Sequence, residues 1–287
     1  MSPRRVLLLA AVLLPQGGPP ATLPALPADL AALAAEVGRA HGSLAIAEPE
    51  AFQARIVLTP LGRTQDTVMV TLDASYLTRA ETTPLIRYAV DEQGRKIERG
   101  LDAKGPWARN DKAVYALQGK DYAEEATKLR RDLGLARQLL HFVRPHALLL
   151  ALRQAGVPEA QDLPRIGRLP PQPCITVRGR LDDFPFHQAR GEAGPAEVRV
   201  WIDRSTRRLA AVQATPLDDS GRPSGKVAEL VLLREFQPRS TLLLPTELVV
   251  YERVGVESLK AVARVQVQGL DLAPKLAAKD LERPARG

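Results

Sequence analysis

Ala196-Glu197-Val198-Arg199-Val200-Trp201-Ile202-Asp203, followed by Ser205-Thr206, is the stretch on which the fold turns. Val198, Val200 and Ile202 stand two apart, with Arg199 and Trp201 between them and Glu197 before, which is the period of a strand that presents alternate residues to two faces. Asp203, Ser205 and Thr206 supply turn chemistry at its end. Downstream, 208–215, 226–236, 245–253 and 258–272 repeat the theme with little between them. Such a ladder predicts an antiparallel meander. Segments of about ten residues, at roughly 3.3 Å each, span about 33 Å, and a sheet that tall is expected to curl around something.

Working towards the N-terminus, Phe52, Ala54, Ile56 and Leu58 alternate, as do Val68, Val70 and Leu72. Residues 84–90 and 95–101 flank Asp91-Glu92-Gln93-Gly94, a hairpin turn. Two stretches change period. Leu30, Leu33, Ala34 and Val37 form one helical stripe behind Asp29, stopped near Gly42. From Asp121, expected to cap a second helix, Glu124 and Lys128 stand four apart, and Gly134 is expected to end or kink it. Residues 135–152 are then apolar on most sides and broken at Pro145, so this helix must be buried, and neither half is long enough to cross a bilayer. A proline-rich connector, 158–173, leads into the closing strands.

Residues 1–14 have the parts of a secretory signal, Arg4-Arg5 and then nine apolar residues from Val6 to Leu14, with Pro15, Gly17 and Pro19 as breakers. Export to the periplasm is the expectation, with residues 1–28 as signal peptide and proline-rich leader. A retained anchor stays open, because no small-x-small cleavage site stands out. Cys174 is the single cysteine, so there is no internal disulfide, and the remaining chain of roughly 260 residues must rest on its core. The net charge of +7 suits an anionic membrane surface or acidic partner. Nucleic acid is not expected, since the few aromatics are not interleaved with basic residues.

Catalytic patterns are missing from the sequence. His141 and His146 flank Pro145 and share no helical face, and there is no HExxH, Cys-x-x-Cys, P-loop or GxSxG. Glu124-Glu125, Asp182-Asp183 and Asp218-Asp219 fit helix starts and turns better than general acid and base pairs. Neither a cofactor nor a metal is expected. What remains is apolar surface: Ile56, Leu58, Val68, Val70, Leu72, Val198, Val200, Ile202, Leu230, Leu232, Leu259, Val265 and Val267 lie at alternating positions and are expected to line the concave side of the sheet. Branched aliphatics suit a flexible acyl chain. Leu139, Leu140, Phe142 and Leu149 of the apolar helix would cover it as a lid. These same side chains equally suit simple packing of sheet against helices.

The layout resembles the LolA/LolB superfamily of periplasmic lipoprotein carriers. The resemblance rests on the signal, the N-terminal helix, the meander, the helical cover, the 198–203 strand with its Ser205-Thr206 turn, and Leu243-Leu244-Pro245 before a late strand. It spans most of 29–284 with short motifs, and the block 121–173 makes this chain longer than a typical LolA. The resemblance implies an α+β fold, a curved antiparallel sheet forming an open half-barrel with covering helices, as a single domain over 29–284 with a helical insertion at about 121–156. It implies a non-catalytic periplasmic carrier, acting as a monomer, whose partner is a lipid acyl chain or a lipidated protein, with contact to a membrane surface. The alternative within the same scaffold is an envelope regulatory module that docks a membrane protein.

Overall fold

β1 (Ala51–Pro60) stands at the middle of a single sheet whose strands run outward from it in both directions. The computed structural model describes residues 23–46, 51–61, 70–77, 85–92, 95–110, 113–166, 170–185, 193–224, 228–254 and 258–284. On one side lie β2 (Val70–Leu77), β3 (Leu85–Glu92), β4 (Arg95–Asp102), β5 (Gly105–Arg109) and β6 (Val114–Ala116). On the other lie, in space, β13 (Ser258–Asp271), β12 (Leu242–Val254), β11 (Glu229–Arg239), β10 (Leu209–Pro216), β9 (Ala193–Asp203), β8 (Pro173–Pro185) and β7 (Glu159–Asp162). Every neighbouring pair is antiparallel. The sheet is open, with β6 and β7 at its two edges.

This order explains the helices. The first six strands step outward from β1, the last seven step back to it, and the chain must pass from one edge to the other between β6 and β7. A short 3-10 turn (Lys120–Tyr122), α2 (Ala123–Val143) and α3 (Pro145–Ala151) make that passage. They therefore cross one face of the sheet. The α+β architecture of an open antiparallel sheet with covering helices is as expected.

Local chemistry sets the boundaries. Asp29 caps α1 (Leu30–Ala40): its Oδ1 accepts from the Ala32 amide at 2.8 Å, satisfying one of the orphan donors of the first turn. Leu33, Ala34 and Val37 are buried, the stripe read from the sequence. Pro145 opens α3 at its first position, where a missing N–H does no harm. Two expectations differ. Asp121 lies inside the 3-10 turn and does not cap a helix, while Glu124 and Glu125 occupy the first turn of α2. Gly134 does not end α2, which runs on to Val143. One interior glycine costs about 1 kcal/mol, which a 21-residue helix packed on a sheet absorbs.

Within the 158–173 connector, β7 was not legible. All four of its residues are exposed, so an edge strand held mainly by backbone pairing leaves no alternation to read. The segment 1–22, on which the signal reading falls, lies outside the described residues, as do Val68, His187 and the Gln93-Gly94 turn. Among the described residues no helix is long and apolar enough to cross a membrane.

Candidate functional site

The face crossed by α2 and α3 carries the main core. Ile56 and Leu58 of β1, Val198, Val200 and Ile202 of β9, and Val265 of β13 are buried together there, and Val267 packs on the same cluster. Cross-strand register explains the grouping: Leu58 pairs with Val265, Ile56 with Val267, and Ile56 follows a bulge that keeps it in phase. Val70 and Leu72 of β2 stand opposite Leu58 and Ile56 along the backbone. Leu139 and Phe142 of α2 and Leu149 of α3 close over this face and are buried with it. Leu140 is the next residue of α2 after Leu139.

Three expected lining residues are elsewhere. Leu230, Leu232 and Leu259 belong to a second cluster on the opposite face, with Cys174, Trp201, Ala211, Val249 and Ile166. The strand 229–239 begins with five buried positions in a row, so alternation by itself cannot say which parity faces the helices. Pairing decides. Val231 stands between Val212 and Val250, both in the main core, whereas Leu232 stands between Ala211 and Val249. Val231, Leu233, Leu248 and Val250 therefore take the places given to Leu230 and Leu232, together with Ile175 and Val177 of β8. The outer face tolerates apolar residues because Leu163 and Ile166 of the connector cover it.

Polar anchors hold the crossover at both ends. Arg99 of β4 is fully buried and donates from Nε and Nη2 to Glu125 Oε2 at 3.0 and 2.6 Å, fixing the start of α2 to the sheet. Near the other end Gln138 Nε2 donates to the Pro185 carbonyl at 2.6 Å and lies 3.4 Å from Glu229 Oε2. Just beyond, Leu139, Phe142 and Val143 face Leu244, Pro245, Val267 and Leu270 across an apolar cleft that retains about 20 Å³. That is room for about one water, far below the roughly 300–1,000 Å³ of small-molecule sites. As it stands the cleft is too small for an acyl chain.

Beside the lid, α1 packs on α3. The contact is close: a Cβ on Gly38 would sit 3.2 Å from His146 Cβ. His146 Nδ1 meets Ser43 Oγ at 2.8 Å, and His41 sits fully buried between α1 and the sheet. His41 Nε2 accepts the Leu209 amide at 3.0 Å, which leaves Nδ1 to donate to the Leu243 carbonyl at 3.1 Å. This is a neutral imidazole. Burial, then the nearby charge of Arg208 and His146, outweighs the Leu243 bond and lowers the pKa to about 4. These histidines pin structure, and among the described residues no group of three or more His, Cys, Asp or Glu could hold a metal ion. Burial pushes the Cys174 thiol up to about 12, so it packs as a small apolar residue.

The 203–208 turn is built by Asp203. Its Oδ1 accepts from Ser205 Oγ, the Thr206 amide and Thr206 Oγ1, and its Oδ2 from Gln172. Burial works to raise this carboxyl, but those donors hold it below the usual range. The turn is thus a structural feature of the β9–β10 hairpin.

No family model matches the chain, and no curated protein matches it. Solved structures do. A LolA superfamily protein from Nitrosomonas europaea is similar over 89% of this chain and 98% of its own, at 10% identity and a TM-score of 0.40. MucB is similar over 88% of this chain and 61% of its own, at 13% identity and a TM-score of 0.21. MucB in complex with MucA is similar over 82% and 91%, at 11% identity and a TM-score of 0.16. At these identities and scores the likeness says nothing of ligand or partner.

Proposed function

We propose that this chain is an exported, periplasmic, non-catalytic binding protein that takes an acyl chain, free or on a lipidated protein, under the C-terminal half of α2. The observation that carries this reading is the apolar cleft between Leu139, Phe142 and Val143 and the sheet rim at Leu244, Pro245, Val267 and Leu270. Its walls are mostly apolar, with Arg239 and Thr246 also in the lining, and its roof is a crossover helix rather than a strand of the sheet. A chain enters only if that roof lifts. With Glu125 and Gln138 anchored, the break at Arg144–Pro145 makes the last turn of α2, 139–143, the part that yields.

Magnitudes permit it. At about 0.8 kcal/mol per buried methylene, a sixteen-carbon chain contributes at most about 12 kcal/mol. Losing a third of that to lifting the lid and ordering the chain leaves about 8 kcal/mol, micromolar affinity. The test is uptake of a fluorescent fatty acid by the delipidated protein, with Val267→Trp to fill the cleft. Saturable binding weakened at least tenfold in the variant is expected. Wild-type protein that takes up nothing saturably sinks the proposal, and recovery of one membrane protein, insensitive to lipid, would replace it by the docking role.

A further inference from the structure

On the face of the sheet turned away from the helices, a cavity of about 560 Å³ lies among Arg165, Arg199 and Arg253, with Leu230 and Leu259 in its lining. That volume falls within the range of small-molecule sites. It is independent of the cleft under α2, because alternate residues along β9 and β11 serve the two faces.

The register makes the charge arrangement unusual. Arg178 stands directly opposite Arg199 in the β8–β9 pair, and Gln213 stands opposite Arg199 on the other side. Like charges facing each other across strands destabilise a sheet. Burial, then Arg178 and also Arg253, depresses the Arg199 guanidinium below its usual range against the opposing pull of Glu197 and Glu159. The Arg199 guanidinium lies 5.5 Å from the centre of the buried Trp201 ring, a cation–π contact that favours this position. Among the described residues no carboxylate forms an ion pair with it, and Glu197 is the one acid in the cavity lining. Guanidinium forks converging on one volume match a tetrahedral dianion with several oxygens better than a single carboxylate.

Apolar surface adjoins the charge. Pro164 borders both this cavity and a second, of about 450 Å³, lined by Ile166, Pro171, Ala210 and Leu232. We infer that the outer face binds a phosphorylated amphiphile, its phosphate held by Arg165, Arg199 and Arg253 and its apolar part on Leu230, Leu259 and the adjoining proline-walled cavity.

The test is calorimetric titration of the full chain with dihexanoyl phosphatidic acid and with inorganic phosphate, alongside flotation with phosphatidylcholine vesicles with and without phosphatidic acid. One charged hydrogen bond to phosphate is worth about 1.5–3 kcal/mol, so Arg199→Gln should weaken phosphatidate binding about tenfold or more. Arg253→Gln, at an exposed position, should act in the same direction and guards against misfolding at Arg199. Phosphatidate binding tighter than inorganic phosphate, with flotation lost in both variants, assigns the site to a lipid headgroup. Equal affinity for inorganic phosphate, again lost in both variants, assigns it to a free phosphate. An absence of binding, or binding that both variants leave unchanged, overturns the inference. Fatty-acid uptake should survive Arg199→Gln, so this site and the α2 cleft fail or stand separately.

Discussion

Acidification is expected to loosen this fold through His41. The folded ring holds its proton with a pKa of about 4, against 6.5 for the free side chain. Protonating it in place means losing the Leu209 amide bond at Nε2 and setting a cation beside Arg208 and His146, in a pocket closed by Phe236 at 5.5 Å. The sign follows: below about pH 6.5 the unfolded chain takes up a proton that the folded chain refuses, so stability is intact above that pH and falls as pH drops towards 4. The whole shift is worth about 3 kcal/mol, of which about 2 kcal/mol is gone by pH 5. His146, also lowered by burial and then Arg144, acts with the same sign. Asp102 and Asp203, whose pKa values are depressed, lose their contribution only below the unfolded carboxylate value of 3.8, so the windows separate. Urea unfolding at pH 7.5 and pH 5 measures the difference, with His41→Gln as the control that is weaker at pH 7.5 but falls less. A midpoint that does not move between the two pH values, or a variant that falls as steeply as the wild type, refutes the buried neutral imidazole.

Other perturbations reach other joints. Glu125→Ala leaves the fully buried Arg99 guanidinium without that carboxylate; a loss of about 3 kcal/mol and faster amide exchange at the start of α2 are expected. Asp102→Asn weakens the two-pronged bond from Arg283 Nε and Nη2 at 2.8 and 2.9 Å, so the C-terminal segment with α4 (Ala278–Leu281) should become more sensitive to limited proteolysis while the melting temperature falls by only a few degrees. Gly42 has a φ of +66°, and a Cβ there would fall 1.8 Å from the Thr241 carbonyl oxygen. Gly42→Ala should therefore destabilise by well over 1 kcal/mol in chemical denaturation, and an unchanged midpoint would argue against that loop conformation.

Several elements were legible before any tertiary contact was known, because their signals are local. Asp29 before a three-and-four stripe fixes the start of α1, Pro145 fixes the break between α2 and α3, and clean alternation in 196–203 fixes which of its residues face the helices. In each case the deciding neighbours lie within one turn or a few residues along the strand. The candidate site was legible only in part for the opposite reason. Leu230-Val231-Leu232-Leu233 is apolar without alternation, so its phase is set by partners on β10 and β12, and the structure sends Leu230 and Leu232 to the outer face. Arg99 finds Glu125 across 26 residues, and His41 finds Leu209 and Leu243 across 168 and 202. Sequence determined the start of α1, the break between α2 and α3 and the phase of 196–203, where the signal is local. Tertiary structure decided which face each apolar run serves and which buried polar groups meet, because those choices depend on pairing between segments far apart in the chain.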